Sequence, residues 1–244
     1  MDRFQDEALV LGTVDFGEAD RVVTLFTRGH GRLSAFAAGA RRSKRRFAGA
    51  LTAGTWLKAS LATRRGDTLR LDEVSVVRAF HHLQDELPLI ARALHCLELC
   101  RELTRDHQPH EALFDALTAY LVLLDDKQAG PTSLLKFELD ALEHAGLRPR
   151  FDSCAVCGRA VGARPRFDAQ AGGAVCEACA PGLPGSTFVP LAVLEALAGL
   201  QAGRRVPLPT ELRARAREVL GRFLTHHLGR RLKSVDFMDQ VGVD

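Results

Sequence analysis

The chain has 244 residues, 46% hydrophobic and 26% charged, a balance ordinary for a globular protein with a sizeable core. It contains no run of eighteen apolar residues, which excludes a membrane-spanning helix. Its start, Met1 to Glu7, lacks the basic-then-apolar order of an export signal, so a cytoplasmic, nucleoid-associated protein is expected, with no membrane partner. The net charge of +3 is unevenly spread: residues 1–80 carry 14 Lys/Arg against 9 Asp/Glu, residues 81–150 carry 7 against 12, and residues 151–244 carry 12 against 9. The two basic segments are therefore candidate phosphate-binding surfaces.

Residues 6–80 read as β. Apolar runs at Ala8–Val14, Arg21–Thr27 and Arg32–Ala38 are separated by Gly17 and by Gly29-His30-Gly31. After a basic interruption, Thr55–Thr63 alternates, with Leu57, Ala59 and Leu61 on one face and Trp56, Lys58 and Ser60 on the other. Arg65-Gly66-Asp67 turns the chain back into Thr68–Ala79. Five strands of this length favour closure, which removes exposed edges, and the five-stranded OB barrel is the expected form.

From His82 the period becomes helical. Leu89, Ala93, Cys96, Cys100 and Leu103 share one face, and Ala112, Leu113, Ala116, Leu117, Tyr120, Leu121 and Leu124 define a second helix. A third begins at Pro131 and is stopped by Gly146 and Pro149. Pro190 opens another, and a last helix starts near Thr210. Cys96 and Cys100, on an apolar face, read as small core residues.

Between the third and fourth helices lie two Cys-x-x-Cys pairs, Cys154/Cys157 and Cys176/Cys179. Thiolates at this spacing converge from a tight turn, and two turns supply the closed tetrahedral set that zinc prefers. One structural Zn²⁺ per chain is expected. A closed four-sulfur shell leaves no position for a reacting water, so the metal is expected to clip a loop rather than to catalyse. Two disulfides are the alternative, disfavoured by the expected reducing compartment.

The densest charge is Arg41-Arg42-Ser43-Lys44-Arg45-Arg46, between the third and fourth strands. Five cations so close repel one another, which predicts a mobile stretch until a polyanion neutralises it. Arg64, Arg65 and Arg70 extend the track around the last hairpin, and Lys58 and Trp56 lie on the polar face, where a base can stack on the indole. The plainer readings are a solvated loop and a Trp covering the end of the core. No P-loop and no His-Glu-x-x-His pattern is present. Asp15, Glu18 and Asp20 near the first turn are the one group that a Mg²⁺-dependent nuclease could use. The chief alternative, ahead of a nuclease, is a sequence-specific zinc-ribbon transcription regulator, with the Arg213, Arg215, Arg217 and Arg222 helix as reader.

Gly17-Glu18-Ala19-Asp20-Arg21-Val22-Val23-Thr24-Leu25-Phe26-Thr27, Gly31-Arg32-Leu33 and Gly39-Ala40-Arg41-Arg42-Ser43-Lys44-Arg45-Arg46-Phe47 resemble the N-terminal signature of the bacterial recombination mediator family RecO. A helical middle, the cysteine insertion and the ending His227-Leu228-Gly229-Arg230-Arg231-Leu232-Lys233-Ser234 agree in order with it. The resemblance implies an α+β multidomain chain. Residues 1–80 would form an OB-fold DNA-binding domain, 81–150 with 185–244 a helical domain, and 151–184 the inserted four-cysteine zinc module. It also implies a non-enzymatic protein that binds single- and double-stranded DNA and anneals complementary strands. With RecR, such proteins help load RecA on strands coated by the single-stranded-DNA-binding protein SSB. The family's Gly-x-Arg-Arg-x-Lys motif falls on Arg41, Arg42 and Lys44. The acidic, apolar-ended SSB tail is expected on the helical domain, with Arg222, Arg230, Arg231 and Lys233 as candidate contacts.

Overall fold

The computed structural model describes residues 3–43, 46–47, 49–63 and 69–243. The chain forms two compact units, Met1–Gln128 and Ala129–Asp244. In the first, β1 (Arg3–Phe16), β2 (Asp20–Thr27), β3 (Gly31–Ala37), β4 (Trp56–Thr63) and β5 (Leu69–Arg78) close a barrel in the order β1-β2-β3-β5-β4. A parallel pairing, Ala35↔Leu69 and Phe36↔Arg70, joins β3 to β5. This is the OB arrangement expected from the sequence.

β1 begins five residues before the apolar run that announces it, because its polar first half is a barrel strand in its own right. Arg3 to Leu9 pair with Ala62 to Trp56 of β4, while Ala8 to Phe16 pair with β2. One strand serves both neighbours by bending at a register shift between Val10 and Gly12, the usual effect of a bulge. Inside, Ala8, Val10, Val23, Leu25, Leu33, Leu57, Ala59, Leu61 and Leu71 make the core. Phe47 and Leu51, from the long β3–β4 connection, complete it.

Helices α1 (Leu87–Leu103) and α2 (Glu111–Asp125) pack with the barrel in the same unit. The acidic surplus of this segment has a structural use. Arg28 of the barrel donates to both oxygens of Asp115, at 2.9 and 3.0 Å, and lies 3.1 Å from Glu111. Arg32 donates to Asp106 at 2.6 Å, and Arg78 to Asp125 at 2.8 Å. Asp125 is buried and also accepts the backbone N–H groups of His82 and Leu83. At Gly31, with φ +73°, a Cβ would stand 2.0 Å from the Gln108 carbonyl oxygen, so only glycine permits this approach.

The second unit holds α3 (Ser133–His144), α4 (Leu191–Gln201), α5 (Thr210–Leu228) and α6 (Lys233–Gln240), with a small sheet ordered β7-β6-β8. Its strands are β6 (Arg166–Asp168), β7 (Gly173–Val175) and β8 (Thr187–Phe188). The helix starting at Thr210 is not the last. Gly229, with φ +71°, ends it in the left-handed conformation, and a further short helix buries Met238 and Ser234. Phe167 of β6 is wholly buried between Phe151 and Phe223, with ring centroids 6.0 and 6.1 Å away. The hairpin between the cysteine pairs is thus keyed into the helical core.

Candidate nucleic-acid interface and metal centre

The cysteines come together. The sulfurs of Cys154, Cys157, Cys176 and Cys179 all lie within 4.8 Å of one another, and among the described residues they are the one such cluster of metal-ligating side chains. Each pair sits on a knuckle: Gly158 N–H donates to the Cys154 carbonyl at 2.9 Å, and Cys179 N–H to that of Cys176 at 3.1 Å. Gly158, with φ +73°, reverses the chain after the first knuckle. The Cys176 amide also donates to Cys154 Sγ at 3.4 Å, as does Arg159 Nε to Cys157 Sγ at the same distance.

Donors aimed at sulfur favour the thiolate. The Arg159 guanidinium and amide pull the exposed Cys157 thiol down to about 6. For Cys154, burial pushes the thiol up, but three backbone donors outweigh it and its pKa is lowered. Cys179, sharing hydrogen bonds with Cys157 and Cys176, is pushed up to about 12. A set that holds two sulfurs readily as thiolates and two more within reach can take one soft, tetrahedral metal ion. Cys96 and Cys100 lie apart from it, buried on α1, and burial raises the Cys100 thiol.

Within the basic run, the side chains of Arg41 and Arg46 are tied to backbone carbonyls of the barrel's loops. Asp20 accepts the Gly39 N–H at 2.7 Å, and Arg41 N–H donates to the Ala19 carbonyl at 2.9 Å. The Arg41 side chain donates to Gly17 O at 3.1 Å and lies 3.5 Å from Asp15. Arg46 donates to Ala38 O at 2.6 Å and covers the ring of Phe47, which plugs the barrel. The Gly-Glu-x-Asp-Arg run and the basic loop are therefore two halves of one bracket. Among the described residues of the run, Arg42 is 72% exposed and pairs with the still more exposed Glu18 at 3.6 Å. Lys44, Arg45, Arg64 and Arg65 lie outside the described residues.

Of the other barrel residues, Lys58 is exposed and Trp56 half-buried, with an indole N–H that has no hydrogen-bond partner. Arg70 is half-buried and donates to Asp72. The carboxylates that a nuclease would need do not converge: Asp15 faces Arg21 and Arg41, Asp20 caps Gly39, and Glu18 faces Arg42. Sequence reading passed over Phe16 and Phe36, whose rings meet edge-on outside the barrel. For Phe36 the signal available was its place between the small apolar Ala35 and Ala37; nothing local marked Phe16.

In the second unit, Arg222 donates to Thr187 and lines a cavity of ≈ 220 Å³ with Arg215, Phe188, Val189, Pro190 and Val219. Arg215 also pairs with Glu218 at 3.0 Å. Arg231 is held by Asp236 and Asp239, while Lys233 opens α6. No helix among the described residues is long and apolar enough to cross a membrane.

Comparison with known proteins agrees with this geometry. The family model for the N terminus of recombination protein O matches residues 1–80, and that for its C terminus matches residues 84–236. The chain belongs to the RecO family. The DNA repair protein RecO of Myxococcus xanthus is 61% identical over 244 residues, covering all of both chains. Its counterpart in Anaeromyxobacter dehalogenans is 51% identical over 99% of this chain and 98% of its own. That of Pelobacter propionicus is 35% identical over 96% of each. RecO membership makes this a DNA repair protein, with its barrel matched by one family model and its cysteine and helical region by the other.

Proposed function

We propose that the chain is a recombinational repair mediator that binds single- and double-stranded DNA and anneals complementary strands. With RecR it helps load RecA on SSB-coated single strands, in the cytoplasm and without catalytic groups of its own. The observation that carries this reading is the basic run fastened to the rim of a closed OB barrel. Arg41 and Arg42 hold positive charge at a defined place, and Lys44 and Arg45 belong to the same run. Two backbones must approach against phosphate repulsion during annealing, and a fixed cationic rim lowers that cost. Trp56, Lys58, Arg64, Arg65 and Arg70 extend the surface.

The metal is Zn²⁺, and its role is structural. Four sulfurs close the shell, and the hairpin they pin carries Phe167 into the helical core. The SSB tail docks in the α5 cavity, where Phe188, Val189 and Val219 offer an apolar floor and Arg215 and Arg222 a basic rim, the tail displacing Glu218 from Arg215. Arg230, Arg231 and Lys233 are secondary contacts. Annealing of SSB-coated complementary strands, with intact SSB and with SSB lacking its tail, tests the reading. Annealing that requires the tail supports it, and no annealing in either case refutes it. Loss on Arg222→Ala with naked-strand annealing retained assigns the cavity.

A further inference from the structure

We infer that the outer face of β1, β2 and β3 is a base-stacking platform for unpaired nucleotides, with Phe16 and Phe36 as its rings. The inference rests on the nucleic-acid reading above and deepens it. Strand register places the residues. Val14 pairs with Val22, Val22 with Phe36, and Phe36 with Arg70. In the adjoining row, Val23, Ala35 and Leu69 are buried in the barrel. Side chains alternate along a strand, so Val14, Val22, Phe36 and Arg70 face outward, and Phe16, two residues past Val14, joins them.

Phe16 is 59% exposed and Val14 69%. The Phe16 and Phe36 rings meet at 83° with centroids 5.7 Å apart. This edge-to-face contact orients both rings without covering Phe16. The neighbouring outward row, Gly12, Thr24 and Ser34, is small, which leaves a shallow shelf beside the rings. OB barrels commonly receive oligonucleotides on the β2–β3 face, where aromatic rings stack on bases irrespective of sequence.

Charge selects the occupant. Arg70 borders the strip on β5, in register with Phe36, and Arg41 reaches the carbonyl of Gly17, directly after Phe16. An apolar strip with a guanidinium group near each ring complements a chain that alternates flat faces with phosphates. Arg41 and Arg70 keep carboxylate neighbours, Asp15 and Asp72, so phosphates must displace these. Ion pairing alone therefore holds a phosphate only weakly here. Stacking supplies the rest, and only an unpaired strand presents free base faces.

The test is fluorescence anisotropy of the full chain with a thymidine oligonucleotide and with a duplex of equal length. Wild type, Phe16→Leu and Phe16→Trp are compared, and melting temperatures verify folding. Phe16→Leu keeps the apolar contact with Phe36 but removes the stacking face. It is expected to weaken single-strand binding about tenfold, leaving duplex affinity and salt slope unchanged, with Phe16→Trp restoring binding. Equal single-strand affinity in wild type and Phe16→Leu overturns the platform while the nucleic-acid reading stands. Parallel loss of single-strand and duplex binding also overturns it. A wild-type chain that binds neither ligand removes the reading underneath. If Phe16→Leu alters self-association in sedimentation and not single-strand affinity, the face is a protein contact and the proposal fails.

Discussion

Arg46 and Arg42 are four residues apart in one basic run, yet the structure gives them different work, and salt titration separates the two. Each phosphate neutralised on a single strand contributes a slope of about 0.7 in log affinity against log salt. If all five cations of the loop met phosphate, the five-alanine variant would lose a slope of roughly 3.5. Arg46, however, donates to Ala38 O and lies over Phe47, whose ring is part of the barrel core. Its phosphate contribution should be small, leaving Arg41, Arg42, Lys44 and Arg45 and a loss of roughly 2.8. Between 50 and 200 mM salt, a slope loss of about 2.8 amounts to roughly fifty-fold in relative affinity. The assay is anisotropy over a salt series for Arg42→Ala, Arg46→Ala and the fourfold alanine variant at Arg41, Arg42, Lys44 and Arg45. Arg42→Ala should lower the slope by about 0.7 with no change in melting temperature. Arg46→Ala should lower the melting temperature and leave the slope nearly intact. Equal slope losses for Arg42→Ala and Arg46→Ala, at unchanged stability, would refute the division of labour.

Removing the metal, or Cys154→Ser, should lower the melting temperature of the second unit by on the order of 10 °C, read by calorimetry with and without chelator. Loss of DNA affinity at unchanged stability would count against the clip role. Gly31→Ala should destabilise the first unit by about 2 kcal/mol or more, measured by urea unfolding, because the added Cβ meets the Gln108 carbonyl at 2.0 Å and φ is +73°. The Arg28 hydrogen bonds hold the Asp115 pKa below its ordinary 3.8, against some opposition from burial. That contribution to stability is complete above pH 3.8 and fades as pH falls through the lowered folded value. Asp115→Asn should accordingly flatten this acid limb in a plot of melting temperature against pH.

The cysteine pairs, the basic run and the positions of all five barrel strands were legible in the sequence because each is a local pattern. Sulfur spacing sets chelation, charge density sets phosphate affinity, and period-two alternation sets a barrel strand's faces. The polar start of β1 was not, since Arg3 to Glu7 become strand only through pairing with β4. Nor was α6, a short helix whose start follows from Gly229 ending α5 in the left-handed conformation. The roles within the loop also needed tertiary structure. Arg41, Arg42 and Arg46 are alike in sequence, but the positions of Gly17, Asp15, Glu18, Ala38 and Phe47 in space divide them between scaffold and exposed charge. The same holds for Phe16 and Phe36, twenty residues apart in the chain, which strand register alone places on one outward face. Sequence determined which chemistry the chain carries. Pairing and packing decided which of those groups are left facing water.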